Sequence, residues 1–192
     1  MKKQFLHFFT MLFISMMILS CTKKEETTTP VATNPTLYEQ VGGTAMVDDP
    51  NNPGTMIEKG RLTLRAVVDS SILVIAADPQ MTKYFPVLFS ELGTGNTTGL
   101  MALSKSFTDF MCSATGCKNS AYAYTGMNMK DAHDPAKNKR MGMKADKADF
   151  DKFVGNIGTG LAKNGVNSTN AKKLVDDLVA LLYTTESAIV QR

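Results

Sequence analysis

The chain has 192 residues, 21 basic and 18 acidic, with 43% apolar residues and a formal net charge of +3. Setting aside Lys2 and Lys3 at the extreme N-terminus leaves 19 of those 21 cations against 18 acids. So even a balance removes the case for nucleic acid or a strongly acidic partner.

Lys2 and Lys3 precede an apolar run from Phe5 to Leu19, and Ser20-Cys21 follows. A charged head, a greasy middle and a small residue before the cut form an export signal, assigned to residues 1–20. The run is shorter than the about 18 residues a spanning helix needs. Ile18-Leu19-Ser20-Cys21 resembles the bacterial lipobox, which makes Cys21 the expected lipidation site. A cut by the other signal peptidase nearby is the rival. The expectation is an exported protein of the bacterial cell envelope, periplasm or outer membrane, held to the membrane through its N-terminal lipid. Residues 21–35 are Lys, Glu, Thr and Pro with almost nothing to bury, and are expected to be a disordered tether. Residues 36–192 are enough for one domain with a full core.

Leu37, Tyr38 and Val41 make one amphipathic turn, stopped by Gly42-Gly43. Asp48 to Gly54 has loop chemistry, with Pro50 and Pro53. From Met56 to Ala77 helical spacing resumes, with Ile57, Leu64, Val67, Val68, Ile72 and Ile75 on a broad apolar face. Its β-branched end, Ser71 to Ala77, is assigned to helix because the longer period continues and no hairpin signal flanks it. Asp78-Pro79 ends that helix. Thr97 or Thr98 is expected to cap a helix carrying Leu100, Leu103, Phe107, Phe110 and Met111.

Beyond it lies Tyr124-Thr125-Gly126-Met127-Asn128-Met129-Lys130-Asp131-Ala132-His133, holding the one histidine outside the export signal. Met129 and His133 are spaced i and i+4, so one helical face presents a soft apolar side chain beside a ligating one. Asp134-Pro135 closes the segment, and Lys137-Asn138-Lys139-Arg140 follows. The last third reads as two helices. Asp146 precedes Phe150, Val154, Ile157 and Leu161, with Gly165 as terminator; Ser168 or Thr169 then caps a run through Leu174, Leu178, Leu181 and Leu182. Short connection predicts antiparallel packing of the pair. Cys112 and Cys117, separated by Ser-Ala-Thr-Gly in an exported chain, are expected to form a disulfide.

Thr36-Leu37-Tyr38-Glu39-Gln40-Val41-Gly42-Gly43, then Ala66-Val67-Val68-Asp69 with Ala77-Asp78-Pro79, then the Tyr-Thr-Gly…Met…His run, then Asp149-Phe150-Asp151-Lys152-Phe153-Val154-Gly155, fall in order over nearly all of residues 36–192. In these blocks the chain resembles the truncated globins, group 1-like. The resemblance implies an all-α helical sandwich of two antiparallel helix pairs around a haem, here with an enlarged loop between Gly43 and Ala66. It implies haem b (iron protoporphyrin IX) as cofactor and His133 as the proximal iron ligand. The haem-contacting positions it implies are Ile72, Leu100, Ser104, Phe107, Tyr124, Thr125, Met129 and Lys130. The family's distal tyrosine falls at Ile72 and its distal polar positions at Leu100 and Ser104, so the usual hydrogen-bond donors are mostly missing. Ser104 alone supplies a hydroxyl there, and a bond to its own helix carbonyl competes for it. A cation of residues 137–140 is a candidate partner for a haem propionate.

The function expected from this resemblance is reversible binding of oxygen, nitric oxide or carbon monoxide at a His-ligated iron, without catalysis and with a reductase as unidentified partner. The competing expectations are a redox enzyme, nitric oxide dioxygenase or peroxidase-like, and a haem-free helical lipoprotein that binds a partner. A peroxidase needs a distal acid–base group, and none is visible.

Overall fold

The computed structural model describes residues 34–192. The expected signal, Cys21 and nearly all of the tether lie outside the described residues. Helix α1 (Leu37–Gln40) is one turn closed by a capping box: Thr36 Oγ1 accepts from the Glu39 N–H at 3.2 Å, and the Glu39 carboxylate accepts from the Thr36 N–H at 2.6 Å. Tyr38 on this turn is buried.

The architecture is mostly helical, as expected, with one small two-stranded sheet beside the helices. Strands β1 (Met46–Asp48) and β2 (Met56–Glu58) pair antiparallel, with Val47 opposite Ile57, where an enlarged loop was expected. Three residues are too few to display a period of two, and the exposed Met46 and Met56 blur the pattern further. The hairpin turn is tied to α2 (Lys59–Ala76) by two hydrogen bonds from the Arg65 guanidinium to the Asp49 carboxylate, at 2.6 and 3.2 Å.

Helix α2 runs through the β-branched stretch, burying Leu64, Val67, Val68, Ile72 and Ile75. Two short helices follow, α3 (Pro79–Thr82) and α4 (Pro86–Gly93), each with proline in the first turn, where its missing N–H leaves nothing unpaired. Helix α5 (Thr98–Thr115) ends at Gly116, whose φ of +97° suits glycine. There the Cys117 N–H donates to the Cys112 carbonyl at 3.0 Å and the Gly116 N–H to that of Ser113 at 3.3 Å, the Schellman closure. After a 3-10 turn at Ser120–Tyr122 come α6 (Met129–Ala132), α7 (Lys147–Lys163), α8 (Lys172–Tyr183) and α9 (Glu186–Ile189).

Central in the packing is α2, which meets α7 most extensively and α5 next. At Gly160 the two backbones approach so closely that a Cβ would collide with Ser71. Helix α7 starts with a second capping box, Asp146 with Asp149, and buries Phe150, Val154, Ile157 and Leu161 as their spacing predicts. Helix α8 packs on α7, α5 and α1. Its expected caps, Ser168 and Thr169, go unused: the Asn167 side-chain oxygen accepts from the Thr169 and Asn170 N–H groups, and the helix begins later, at Lys172. No helix among the described residues is long and apolar enough to cross a membrane.

Candidate functional site around His133

The segment before His133 is built from local bonds. Tyr124 Oη donates to the Met127 carbonyl at 2.6 Å, folding its ring over Gly126, and its N–H donates to Ser113 Oγ at 2.8 Å. Asn128 then caps α6, its side-chain oxygen accepting from the Asp131 N–H at 2.9 Å. One turn later His133 stands as the C-cap.

His133 Nδ1 lies 2.8 Å from the Met129 carbonyl oxygen. A carbonyl only accepts, so this nitrogen carries the proton, and Nε2 keeps its lone pair for a ligand. Burial lowers the imidazole pKa below its ordinary value, against the opposing pull of the Met129 bond, so the ring is neutral at pH 7. A neutral ring with one nitrogen pinned to a backbone carbonyl is the state in which histidine binds metals. His133 borders a cavity of about 40 Å³ with Tyr84, Phe85, Met141, Asp149, Phe153 and Ile189. A larger surface groove, about 520 Å³, runs past Leu73, Asp78, Lys152 and Lys163 and contains no histidine.

The other expected site residues divide. Phe107 is half-buried and faces Phe153, ring centroids 6.0 Å apart, so it joins the His133 cavity through that ring. Met129 is half-buried against the core, while Thr125 and Lys130 are exposed. Leu100 is half-buried on α5, and Ile72 lies within the core. Ser104 does not bond its own helix: its hydroxyl donates to Asp69 Oδ1 on α2 at 2.5 Å. Tyr124 sets its ring edge-on to Phe110, centroids 6.0 Å apart, and burial raises its phenol. Of the basic run, Arg140 is committed to Glu91 through two bonds of 2.6 and 2.9 Å.

The bridge expected between Cys112 and Cys117 is not formed; both are free thiols. The Schellman closure accounts for their nearness, since it brings the side chains three residues before and two after the helix end onto one side. Cys112 is fully buried, with Arg61 Nη1 3.7 Å from its Sγ. Burial pushes this thiol up to about 11 although the Arg61 charge opposes it.

Sequence reasoning missed several buried polar groups, Glu58 and Asp149 among them. Glu58 accepts from Tyr38 Oη at 2.7 Å and from Asn119 Nδ2 at 2.6 Å, pinning α1 and the 3-10 turn to the hairpin. Asp149, beside the His133 cavity, accepts from Arg192 at 2.6 Å and Gln80 at 3.1 Å. Burial alone would raise its carboxyl, but the neighbouring Tyr84 hydroxyl, Arg192 and Gln80 outweigh it and hold it well below the usual carboxylate range. The Tyr84 hydroxyl itself is buried and makes no well-directed hydrogen bond. The only advance signal was Asp149's place three residues after Asp146; nothing announced Arg192.

No protein-family model and no curated protein matches the chain. Among the described residues no three His, Cys, Asp or Glu side chains cluster as a metal site. A haem iron needs one axial side chain, so the relevant test is the fit around His133. The donor fits, being neutral, tautomerically fixed and set among apolar side chains. The space is smaller than the group: ligand pockets span about 300–1,000 Å³. Seating a porphyrin there would require the side chains that line the cavity, among them the buried Met81, Tyr84, Phe150 and Ile189, to move apart.

Proposed function

We propose that this chain is a haem protein of the truncated-globin kind, binding oxygen, nitric oxide or carbon monoxide reversibly from the cell envelope of a bacterium. The observation that carries the reading is the 2.8 Å bond from His133 Nδ1 to the Met129 carbonyl, which leaves Nε2 as the ligating nitrogen beside an apolar cavity. The half-buried aromatic wall of Phe85, Phe107 and Phe153 supports it, as does the order of helices around α2. Haem held there would supply the iron at which a diatomic gas binds.

This chain's own residues then set the selectivity. His133 would hold the group from one side. The resemblance assigns Ile72 and Ser104 to the other, where Ile72 carries no donor and the Ser104 hydroxyl already donates its hydrogen bond to Asp69. A hydrogen bond to a charged acceptor is worth about 1.5–3 kcal/mol, or roughly 10- to 150-fold in affinity. Its lack weakens oxygen, whose adduct is polar, more than carbon monoxide. Low oxygen affinity, fast oxygen release and ready oxidation to the ferric state follow. The dioxygenase and peroxidase readings rank below this one because the carboxylate nearest His133, Asp149, is already held by Arg192 and Gln80.

The test is titration of the full chain with haemin. The reading expects a stoichiometric Soret band that His133→Ala weakens or shifts, with carbon monoxide held far longer than oxygen. Tight, slowly released oxygen would instead mean that the distal face has been misassigned. The small cavity favours a second reading, a haem-free helical domain that contacts a partner protein. Failure of the wild-type chain to take up haemin would select it.

A further inference from the structure

Helix α6 is a single turn, too short to persist by its own hydrogen bonds. Its carbonyls near the C-terminal end lack full intrahelical partners and must be satisfied from elsewhere. The structure supplies two side-chain amides. Asn138 Nδ2 donates to the Ala132 carbonyl at 2.8 Å, and Gln191 Nε2, from 61 residues away, donates to the Lys130 carbonyl at 2.8 Å.

Gln191 is itself fixed. Its backbone N–H donates to the Ala145 carbonyl at 2.9 Å, next to a parallel bridge between Val190 and Ala145. Its Nε2 also reaches the Ala188 carbonyl at 3.1 Å. On one side Ile189 is buried and borders the same cavity as His133. On the other, Arg192 grips the start of α7, 2.6 Å from Asp149 and 2.9 Å from Asp146. One short segment thus bonds to the helix carrying the histidine, to the wall of its cavity and to the helix opposite.

We propose that residues 189–192 form a strap that positions the His133 imidazole, with Gln191 as the positioning side chain and Arg192 as its anchor on α7. The Met129 carbonyl that receives Nδ1 belongs to the turn that Gln191 holds at Lys130. Letting go of that turn frees the ring to exchange its proton between the two nitrogens. The ligating role of the ring rests on the haem reading above; the positioning of the ring does not, and it is measurable without haem.

The experiment is long-range proton–nitrogen NMR of the imidazole in the full haem-free chain at one neutral pH. Wild type is expected to show a single tautomer protonated at Nδ1. Gln191→Glu keeps the length but loses the donor, and is expected to lose the sole tautomer; Gln191→Ala likewise. Arg192→Ala is expected to do so in part, and Arg192→Lys to restore the wild-type pattern. Leu178→Ala, a buried change in α8, is the control: lower stability with the tautomer intact. A single Nδ1–H tautomer in both Gln191 variants overturns the proposal, as does loss of it in Leu178→Ala. Wild-type chain that shows the expected tautomer pattern yet takes up no haemin refutes the haem reading and leaves the strap standing.

Discussion

Two apolar stripes of similar regularity meet different fates in this molecule. On α7, Phe150, Val154, Ile157 and Leu161 are all 5% exposed or less, packed on α2. On α5, Leu100, Leu103, Phe107 and Phe110 remain half-buried, and Met111 alone of that stripe reaches the interior. Equal periodicity therefore encodes two different surfaces, a finished core and an apolar wall only partly covered. The histidine lies between the two: its cavity is lined by Phe150 and Phe153 of α7, and the α5 stripe reaches it only through the Phe107–Phe153 ring contact. Under the haem reading the difference has a cause, because that wall is the side a flat apolar group would cover.

The sharpest way to break the comparison is to truncate one aromatic from each side. Phe150→Ala removes a buried ring that stands edge-on to Tyr183 at 5.5 Å, and should cost about 3–5 kcal/mol in urea unfolding. Phe107→Ala should cost about 1 kcal/mol in the haem-free chain, since its ring is already part-wet. In haemin titration the order reverses per unit of lost stability, with Phe107→Ala weakening uptake. Equal destabilisation by both would make α5 ordinary core and remove the distinction.

A second variant probes the finished side. Gly160→Ala places a methyl against Ser71, where α2 and α7 meet, and overpacking there should cost about 1–3 kcal/mol. Stability equal to wild type would mean the two helices are not held at that distance.

Asp149 sharpens the boundary between the two regions through pH. Its carboxyl is held below its ordinary value of 3.8, so the folded state binds fewer protons than the unfolded state around that pH. Stability from this group is therefore complete above pH 3.8 and is lost as the pH falls through and below it. Asp149→Asn should be less stable than wild type at neutral pH by about 1–3 kcal/mol, with the gap closing on acidification. A gap that stays constant with pH would show that the charge of Asp149 contributes nothing.

Smallest in energy is the thiol test. Cys112 is fully buried with a raised pKa, while Cys117 is half-buried. In reduced protein at neutral pH an alkylating reagent should modify Cys117 well before Cys112. Equal rates would place the Cys112 end of α5 at the surface.

The long elements were legible because α2 and α7 each repeat their apolar residues over several turns, and that period survived even the β-branched end of α2. The hairpin was not, since its strands are three residues each and half of their side chains face solvent. At the site, the i, i+4 spacing of Met129 and His133 was visible, but its use differs: the ring bonds the Met129 carbonyl, a group that every residue carries and no sequence marks. Ser104 was expected either on the distal face or bonded to its own helix carbonyl, and its hydroxyl reaches Asp69, 35 positions away. Arg192 and Gln191 were silent for the same reason. Their roles come from where the chain returns, which local pattern does not encode.

The most direct measurement is resonance Raman spectroscopy of the ferrous, gas-free chain after loading with haemin and reduction. The account predicts an iron–histidine stretching band that disappears in His133→Gly and returns, shifted, when imidazole is added to fill the gap. A band that persists unchanged in His133→Gly, or a wild-type chain that stays colourless with haemin, would contradict the assignment of His133 as the iron ligand.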